Sequence, residues 1–446
     1  MRLAFRQLTG LSASGIIVGK MSSPPDSNQD RDSSLQLPGT KEDPLTDRLS
    51  AKGDALYAIL ASFLGWTLDS FDFFVLVFVL SQAAADFHVS LKDRMTLAIS
   101  ITLVFRPVGA AVFGLLADRY GRRRPMMACL VWFSVMEVLS GLAPNFRLFM
   151  IFRALFGMGM GGYWGVAAAL AMEKTPSRWR GIASGLLQQG YACGYLLAAF
   201  CFRLLPAGLS WRWLFIAGGL PALLALLVRH RVSESAVWKQ TRRQDSGALL
   251  RAVAGHWKLF VYLTLLMTMM NFASHGTQDL YPSFLGQERH LSKSEIGDIA
   301  MIYNMGAILG GVCFGLWSDR QGRRHGMVLA FILAILVLPL WAFAPSTGLL
   351  VAGAFLMQFM VQGAWGIIPA HITELSPDAV RGFLPGFAYQ CGVLLAANAA
   401  YLEAQLSKQM SYASAMALTA LATFGIGAIV ILAGPERRAV AFGTVS

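Results

Sequence analysis

Charged residues are scarce in this chain of 446 residues: only 14% are Asp, Glu, Lys or Arg, while 55% are hydrophobic. Because soluble domains carry about 25% charged residues, this deficit excludes an ordinary soluble protein. The five cysteines lie in or beside apolar runs, at spacings that fit neither a metal site nor a disulfide framework. No segment resembles a phosphate-binding loop or an activated nucleophile, so we expect no metal, no cofactor and no enzymatic activity.

Long apolar runs are abundant instead, and each is about long enough to cross ~30 Å of hydrocarbon as a helix. They predict an all-α membrane protein with twelve transmembrane helices. The predicted spans are 55–80, 95–117, 125–143, 147–172, 181–203, 211–229, 257–285, 296–318, 327–344, 348–371, 383–403 and 411–433.

The intervening loops differ in charge. Lys and Arg concentrate at 119–124, 174–180, 229–258, 320–324 and 381. The positive-inside rule predicts that this richer side is cytoplasmic, so both termini are expected in the cytoplasm. The rule applies equally to a bacterial inner membrane and to a eukaryotic plasma membrane. The rule also explains the formal net charge of +12 without a nucleic-acid partner.

The predicted domains follow from this pattern. Residues 1–54 are polar and rich in Ser, Pro and Asp, which indicates a disordered cytoplasmic tail. Two six-helix halves follow at 55–229 and 257–433, separated by a polar cytoplasmic loop over 230–256. A short cytoplasmic tail covers 434–446.

An internal repeat relates the two halves. Phe113-Gly-Leu-Leu-Ala-Asp-Arg-Tyr-Gly-Arg-Arg123 matches Phe314-Gly-Leu-Trp-Ser-Asp-Arg-Gln-Gly-Arg-Arg324, and the same ungapped register aligns Trp164 with Trp365 and Gln189 with Gln390. Parallel repeats with a cavity between the halves are typical of secondary transporters. The acids and arginines of these loops are predicted to form a conformational latch between the halves: Asp118, Arg122, Glu173 and Arg180, with their equivalents Asp319, Arg323, Glu374 and Arg381.

A polar stripe interrupts the seventh span at 271–279. At about 100° per residue, five of its side chains share one helical face: Asn271, Ser274, His275, Gln278 and Asp279. Within a membrane this stripe is costly unless it faces protein or water. It indicates either a hydrogen-bonded seam between helices or a substrate and proton site, since His275 and Asp279 can share a proton.

Three more ionisable residues lie inside apolar spans. Asp69 and Asp72 share a helix face, and their mutual repulsion favours one of them holding a proton, unless either simply neutralises an arginine. Arg106 needs a partner, which is either a substrate carboxylate or a standing ion pair with Asp69 or Asp72. Counting along the helices puts both acids at the depth of the 271–279 stripe, which predicts one shared cavity.

The chain resembles the major facilitator superfamily. Gly114-x-x-x-Asp118-Arg-x-Gly121-Arg-Arg is similar to its hallmark loop, and Arg153-Ala-Leu-x-Gly157-x-Gly159 to its fourth-span motif. The resemblance implies twelve helices, alternating access, and a role for Arg153 in proton coupling. Arg153 as a structural hydrogen-bond donor is the alternative.

The 271–279 stripe resembles a narrower group. It is similar to the signature of sialate:proton symporters that include fungal lactate/pyruvate symporters, with Ser283 where that signature has Thr. Leu384-Pro-Gly-Phe-Ala-Tyr-Gln390 also resembles the group, although Val393 replaces an Asn. Gln390 could donate to a substrate carboxylate or tie two helices together.

These patterns together favour a proton-coupled symporter of small organic acids, such as lactate or pyruvate. The predicted binding residues are Arg106, Asn271, His275, Gln278 and Gln390. The predicted proton-coupling residues are Asp69, Asp72, Arg153, His275 and Asp279. The partners are the acid, protons and the bilayer, and we expect a monomer. A symporter of sialic or aromatic acids is the alternative, followed by a drug/proton antiporter.

Overall fold

Helices account for all regular secondary structure in the part of the chain that the structure, a computed structural model, describes: residues 44–90, 94–206, 209–241 and 246–443. The predicted tail over 1–54 lies largely outside these residues, and the first helix already begins at Pro44. We number the α-helices in chain order: α1 Pro44–Asp86, α2 Thr96–Tyr120, α3 Arg123–Gly141, α4 Phe146–Lys174, α5 Arg180–Gln188, α6 Gly190–Leu204, α7 Arg212–Ala217, α8 Pro221–Arg231, α9 Ala236–Thr241, α10 Ser246–Gly255, α11 Trp257–Gln278, α12 Tyr281–Gln287, α13 Lys293–Gln321, α14 Arg323–Phe343, α15 Thr347–Leu375, α16 Leu384–Ala396, α17 Ala399–Leu406 and α18 Tyr412–Ala433.

All twelve predicted spans coincide with helices. Nine helical segments within the described ranges are long and apolar enough to cross a membrane. The third predicted span is the shorter helix α3, with 19 residues. Four predicted spans are each divided between two helices: the fifth between α5 and α6, the sixth between α7 and α8, the seventh between α11 and α12, and the eleventh between α16 and α17. Two short helices, α9 and α10, occupy much of the predicted loop over 230–256.

Glycine ends two equivalent helices of the repeat. Gly121 follows α2 with a φ of 99°, and Gly322 follows α13 with a φ of 108°. Residues with a Cβ rarely adopt this backbone conformation. The glycine of each repeated loop therefore stops one span and lets the next begin at Arg123 or Arg323.

Helix packing follows the same symmetry within the compact unit Arg48–Ser446. In the first half α2 packs against α4, and in the second half α13 packs against α15. Between the halves, α5 packs against α13 and α15, while α16 packs against α2 and α4. Large apolar side chains such as Leu336 and Ile429 stay exposed, at 70% and 67%, as expected of a lipid-facing surface.

A glycine seam joins the halves where they approach most closely. A Cβ placed on Gly165 would lie 2.5 Å from the Cα of Gly386. A Cβ on Gly181 would lie 2.2 Å from the carbonyl oxygen of Gly315, and one on Gly185 would lie 2.4 Å from that of Gly311. Only glycine permits backbones to meet at these distances.

Candidate functional site

A cavity of about 150 Å³ lies between the two halves. Helices α1, α2, α5 and α6 of the first half and α11, α15, α16 and α17 of the second half supply its walls. The lining side chains are a mixture of polar, aromatic and small apolar groups: Phe73, Leu103, Arg106, Gln188, Tyr191, Asn271, Ser274, His275, Asp279, Gln362, Trp365, Tyr389, Val393, Ala396, Ala397 and Ala399.

Four of the five predicted stripe residues line this cavity: Asn271, Ser274, His275 and Asp279. His275 Nδ1 lies 3.1 Å from Asp279 Oδ2, so the two side chains form a hydrogen-bonded pair across one helical turn. Their side chains are 37% and 41% exposed, which leaves both open to the cavity. Gln362 donates to the Ser274 hydroxyl over 3.2 Å and thereby fixes this face of α11 against α15.

Gln278 departs from the prediction. Its Nε2 donates to Gln358 Oε1 over 2.6 Å, and Gln358 in turn donates to Thr277 Oγ1 over 3.0 Å. Gln278 is not among the residues that line the cavity. At Gln278 the structure therefore contains the hydrogen-bonded seam between helices, because α15 packs beside this edge of the stripe.

Arg106 is a buried cation that faces the cavity. It is 5% exposed, and its guanidinium carbon lies 5.9 Å from the centre of the Tyr389 ring. Its Nε and one terminal nitrogen lack a hydrogen-bond partner among the described residues. No described carboxylate forms an ion pair with it within 4.0 Å, and Asp69 interacts with its charge only at longer range. These unpaired N–H groups can donate hydrogen bonds to a bound anion.

Asp69 and Asp72 lie behind the cavity rather than in its wall. Both are fully buried, and none of their carboxylate oxygens has a hydrogen-bond partner among the described residues. The lining of the cavity therefore lacks the two acids that were predicted to share it with the α11 stripe. Counting residues along a helix gives depth but not rotation. Both carboxylates interact electrostatically with Glu137, Asp69 also with Arg106, and Asp72 also with Arg153.

Glu137 is a charged residue near the site that the sequence-based prediction did not include. It is fully buried in α3 and forms an ion pair with Arg153 of α4. Three carboxylates (Asp69, Asp72 and Glu137) thus share this region with two guanidinium groups, those of Arg153 and Arg106. The signal was available, because Glu137 is the one acid inside the apolar run 125–143.

Aromatic rings form the side of the cavity nearest the glycine seam. Tyr389 lies 4.5 Å from Trp164 and 5.7 Å from Trp365, measured between ring centres. Trp365 lines the cavity, whereas Trp164 lies one layer behind it and donates to Gln188 over 3.3 Å.

Gln390 is likewise outside the cavity wall. Its Nε2 points at the carbonyl oxygen of Gly161 over 3.4 Å, which joins α16 to α4 across the two halves. Its amide oxygen has no partner among the described residues. The contact matches the alternative in which Gln390 ties two helices together.

The predicted latch residues meet in two equivalent clusters. Asp118 accepts from Arg122 over 2.6 Å and from the backbone amides of Gly382 and Phe383, in the other half, over 2.7 and 2.9 Å. Arg122 also pairs with Glu173 over 3.1 Å.

The second cluster repeats this arrangement. Asp319 accepts from Arg323 over 2.9 Å and from the amides of Gly181 and Ile182 over 2.8 and 3.1 Å. Two longer ion pairs cross the halves, Arg180 with Glu374 at 3.6 Å and Arg381 with Glu173 at 3.8 Å. Each half thus supplies a carboxylate to the free amides at a helix start of the other, and this end of the bundle, which we call the latch end, is closed.

Comparisons with known proteins agree with this architecture. A family profile described as "Sugar (and other) transporter" matches residues 57–256, and one described as "Major Facilitator Superfamily" matches residues 264–444. The proton:xylose symporter XylE, solved with 6-bromo-6-deoxy-D-glucose, has a TM-score of 0.69 at 18% identity. The match covers 87% of this chain and 98% of that one, and it shows the shared fold.

Three relatives carry names that refer to organic acids or a lactone. A Saccharomyces cerevisiae "Carboxylic acid transporter protein homolog" is 30% identical over 77% of this chain, and the chain spans 60% of that longer protein. Escherichia coli "Sialic acid transporter NanX" is 28% identical, over 75% of this chain and 83% of NanX. A Cupriavidus pinatubonensis "Probable 4-methylmuconolactone transporter" is 30% identical, over 86% of this chain and 91% of its own length. The prediction from the hallmark loops is therefore confirmed, and the chain belongs to the major facilitator superfamily, a family of membrane transporters.

Proposed function

We propose that this protein is a proton-coupled symporter of small organic acid anions, with short monocarboxylates such as lactate or pyruvate as its substrates. The observation that carries the proposal is Arg106, a buried guanidinium that has no described carboxylate within 4.0 Å and that faces a cavity beside the His275–Asp279 pair. A buried cation of this kind stabilises a carboxylate and disfavours a cationic drug, which argues against the drug/proton antiporter.

The size of the cavity supports a small substrate. Its ~150 Å³ is below the ~300–1,000 Å³ of pockets that hold drug-sized ligands. The cavity lining also contains Leu103, Val393 and Ala396, which offer no hydrogen bonds to the hydroxyl groups of a nine-carbon sugar acid. An aromatic acid is the second candidate, because Tyr389 and Trp365 present ring surfaces to the same space.

In this proposal an anion enters from the end opposite the latch and binds Arg106, with Asn271 and His275 as further donors. The coupling proton comes from groups that cannot all stay ionised when buried: the His275–Asp279 pair and the Asp69, Asp72 and Glu137 carboxylates. Once anion and proton are both bound, the halves rock, the latch opens, and both leave at the latch end. The Lys- and Arg-rich loops at that end support a cytoplasmic latch, and hence inward transport.

Uptake of radiolabelled lactate into proteoliposomes tests the proposal. We expect uptake to rise with an inward proton gradient, and to be competed by pyruvate but not by sialic acid or benzoate. His275→Ala and Asp279→Asn should abolish the gradient-driven uptake, because they remove the proton-sharing pair from the cavity wall.

Two controls are matched to these variants. His256→Ala changes a histidine just before α11, and Asp298→Asn changes an exposed acid of α13; both should transport normally. Normal uptake by both His275→Ala and Asp279→Asn would refute a role for the polar stripe in proton-coupled transport. Gradient-driven uptake of radiolabelled benzoate or sialic acid, with lactate not transported, would replace the proposed substrate and leave the proton coupling in place.

A further inference from the structure

Glu403 is a buried carboxylate that no part of the mechanism above uses. It lies in α17 and is 1% exposed. Its Oε1 accepts one hydrogen bond, from the Thr419 hydroxyl of α18 over 2.8 Å, and its Oε2 has no partner among the described residues. An ionised carboxylate with so little compensation is costly, so a proton on Glu403 stabilises this arrangement.

The position of Glu403 brings it next to the cavity. A Cβ placed on Gly276 would lie 3.1 Å from Glu403 Oε1, so the missing side chain at Gly276 makes room for the acid. Gly276 directly follows His275 in α11, and Ala399, one turn before Glu403 in α17, lines the cavity. Glu403 therefore stands one layer behind the His275–Asp279 pair.

The groups that face Glu403 favour proton exchange with this pair. From the end of α11, the Asp279 carboxylate repels a negative charge on Glu403. From α18 Glu403 faces the Thr419 hydroxyl, since α18 contains no acid, lysine, arginine or histidine. None of the described cations lies within 4.0 Å of Glu403 to hold it ionised.

We infer that Glu403 carries the coupling proton in the second half and exchanges it with the cavity through His275 and Asp279. The proton leaves the Glu403 carboxyl for the pair when the substrate departs, and returns from the pair when a new proton enters. This inference rests on the proposed symport and names a proton carrier that lies outside the substrate-binding wall.

Glu403→Gln is the decisive variant, because the amide keeps the shape of the side chain and holds no exchangeable acidic proton. For one proton per anion, a gradient of one pH unit sustains about tenfold accumulation of lactate. We expect the wild type to approach this ratio and Glu403→Gln to stop at equal concentrations. Exchange of internal for external lactate without a gradient should persist in the variant, since binding and rocking do not need proton release.

Two further variants separate proton transfer from folding. Glu288→Gln, which changes an acid that accepts from the backbone amide of Ala413, should accumulate lactate like the wild type. Thr419→Val removes the hydrogen bond that stabilises ionised Glu403, so the pH of half-maximal uptake should move upward. Full accumulation by Glu403→Gln, or loss of exchange together with accumulation, would overturn the inference. A wild type that ignores the gradient would instead refute the symport itself.

Discussion

The latch at Asp118 offers a quantitative test of how the two halves are held together. Its carboxylate accepts from the amides of Gly382 and Phe383, while Asp319 does the same for Gly181 and Ile182. Asp118→Asn keeps one acceptor oxygen, so one of the two bonds between the halves is lost and the other loses its charge. Because the two clusters close the same end, weakening one should open both.

The expected magnitude follows from these bonds. A hydrogen bond to a charged group contributes about 1.5–3 kcal/mol, and a neutral one about 0.5–1.5 kcal/mol. Losing one charged bond and converting the second to a neutral one destabilises the closed latch by about 2.5–4.5 kcal/mol. This corresponds to an increase of about 70- to 2,000-fold in the open population.

Hydrogen–deuterium exchange at Gly181 and Ile182 measures this population, since both amides contact the unaltered Asp319. We expect their exchange in Asp118→Asn to accelerate by the stated factor. Glu234→Gln is the matched control, because Glu234 accepts from the amides of Arg122 and Arg123 in the same loop without reaching the second half. Faster exchange at Gly382 and Phe383 alone, with Gly181 and Ile182 at the wild-type rate, would refute the idea that the two clusters open as one.

Two other substitutions test the interior. Glu137→Leu leaves Arg153 buried without its ion-pair partner, which should cost about 3–5 kcal/mol and lower the thermal midpoint in detergent, while Glu137→Leu with Arg153→Met should recover most of the loss. No recovery in the double variant would show that the pair is not the source of the defect. Gln358→Leu removes the hydrogen bonds to Thr277 and Gln278 and should lower the free energy of unfolding by about 1–3 kcal/mol, with an unchanged KM for lactate. A raised KM would indicate that Gln278 contributes to substrate binding.

Much of the fold follows from the sequence for physical reasons. A lipid-facing helix must be apolar over its whole length, so spans are visible as runs, and duplication is visible as a repeated loop. The loop residues were predictable as a latch because carboxylates at helix ends accept hydrogen bonds from free backbone amides and form ion pairs with arginines. The breaks within the fifth and eleventh spans were not, since both lie inside continuous apolar sequence.

Counting residues along a helix predicts the depth of a side chain but not the direction in which it points. Counting at 1.5 Å per residue places Asp69 and Asp72 near the level of the α11 stripe, yet the rotation of α1 turns them away from the cavity. Gln278 shares the helical face of His275 but lies at its edge, where α15 offers Gln358. Glu137 and Arg153 pair across two different helices, a contact that no single-helix period reveals.

The glycine seam has a consequence for how this transporter can change. At Gly165 and Gly386, and at Gly181 and Gly315, backbone rather than side chains forms the boundary between the halves. Separation at these glycines requires no side chain to leave a complementary pocket, so the barrier to reversal depends on the polar contacts at the closed end and on the Gln390–Gly161 and Trp164–Tyr389 contacts between the halves. Substitutions such as Val393 for Asn, which alter the cavity wall, leave this boundary untouched. Substrate preference and the rate of conformational exchange can therefore evolve independently in the same chain.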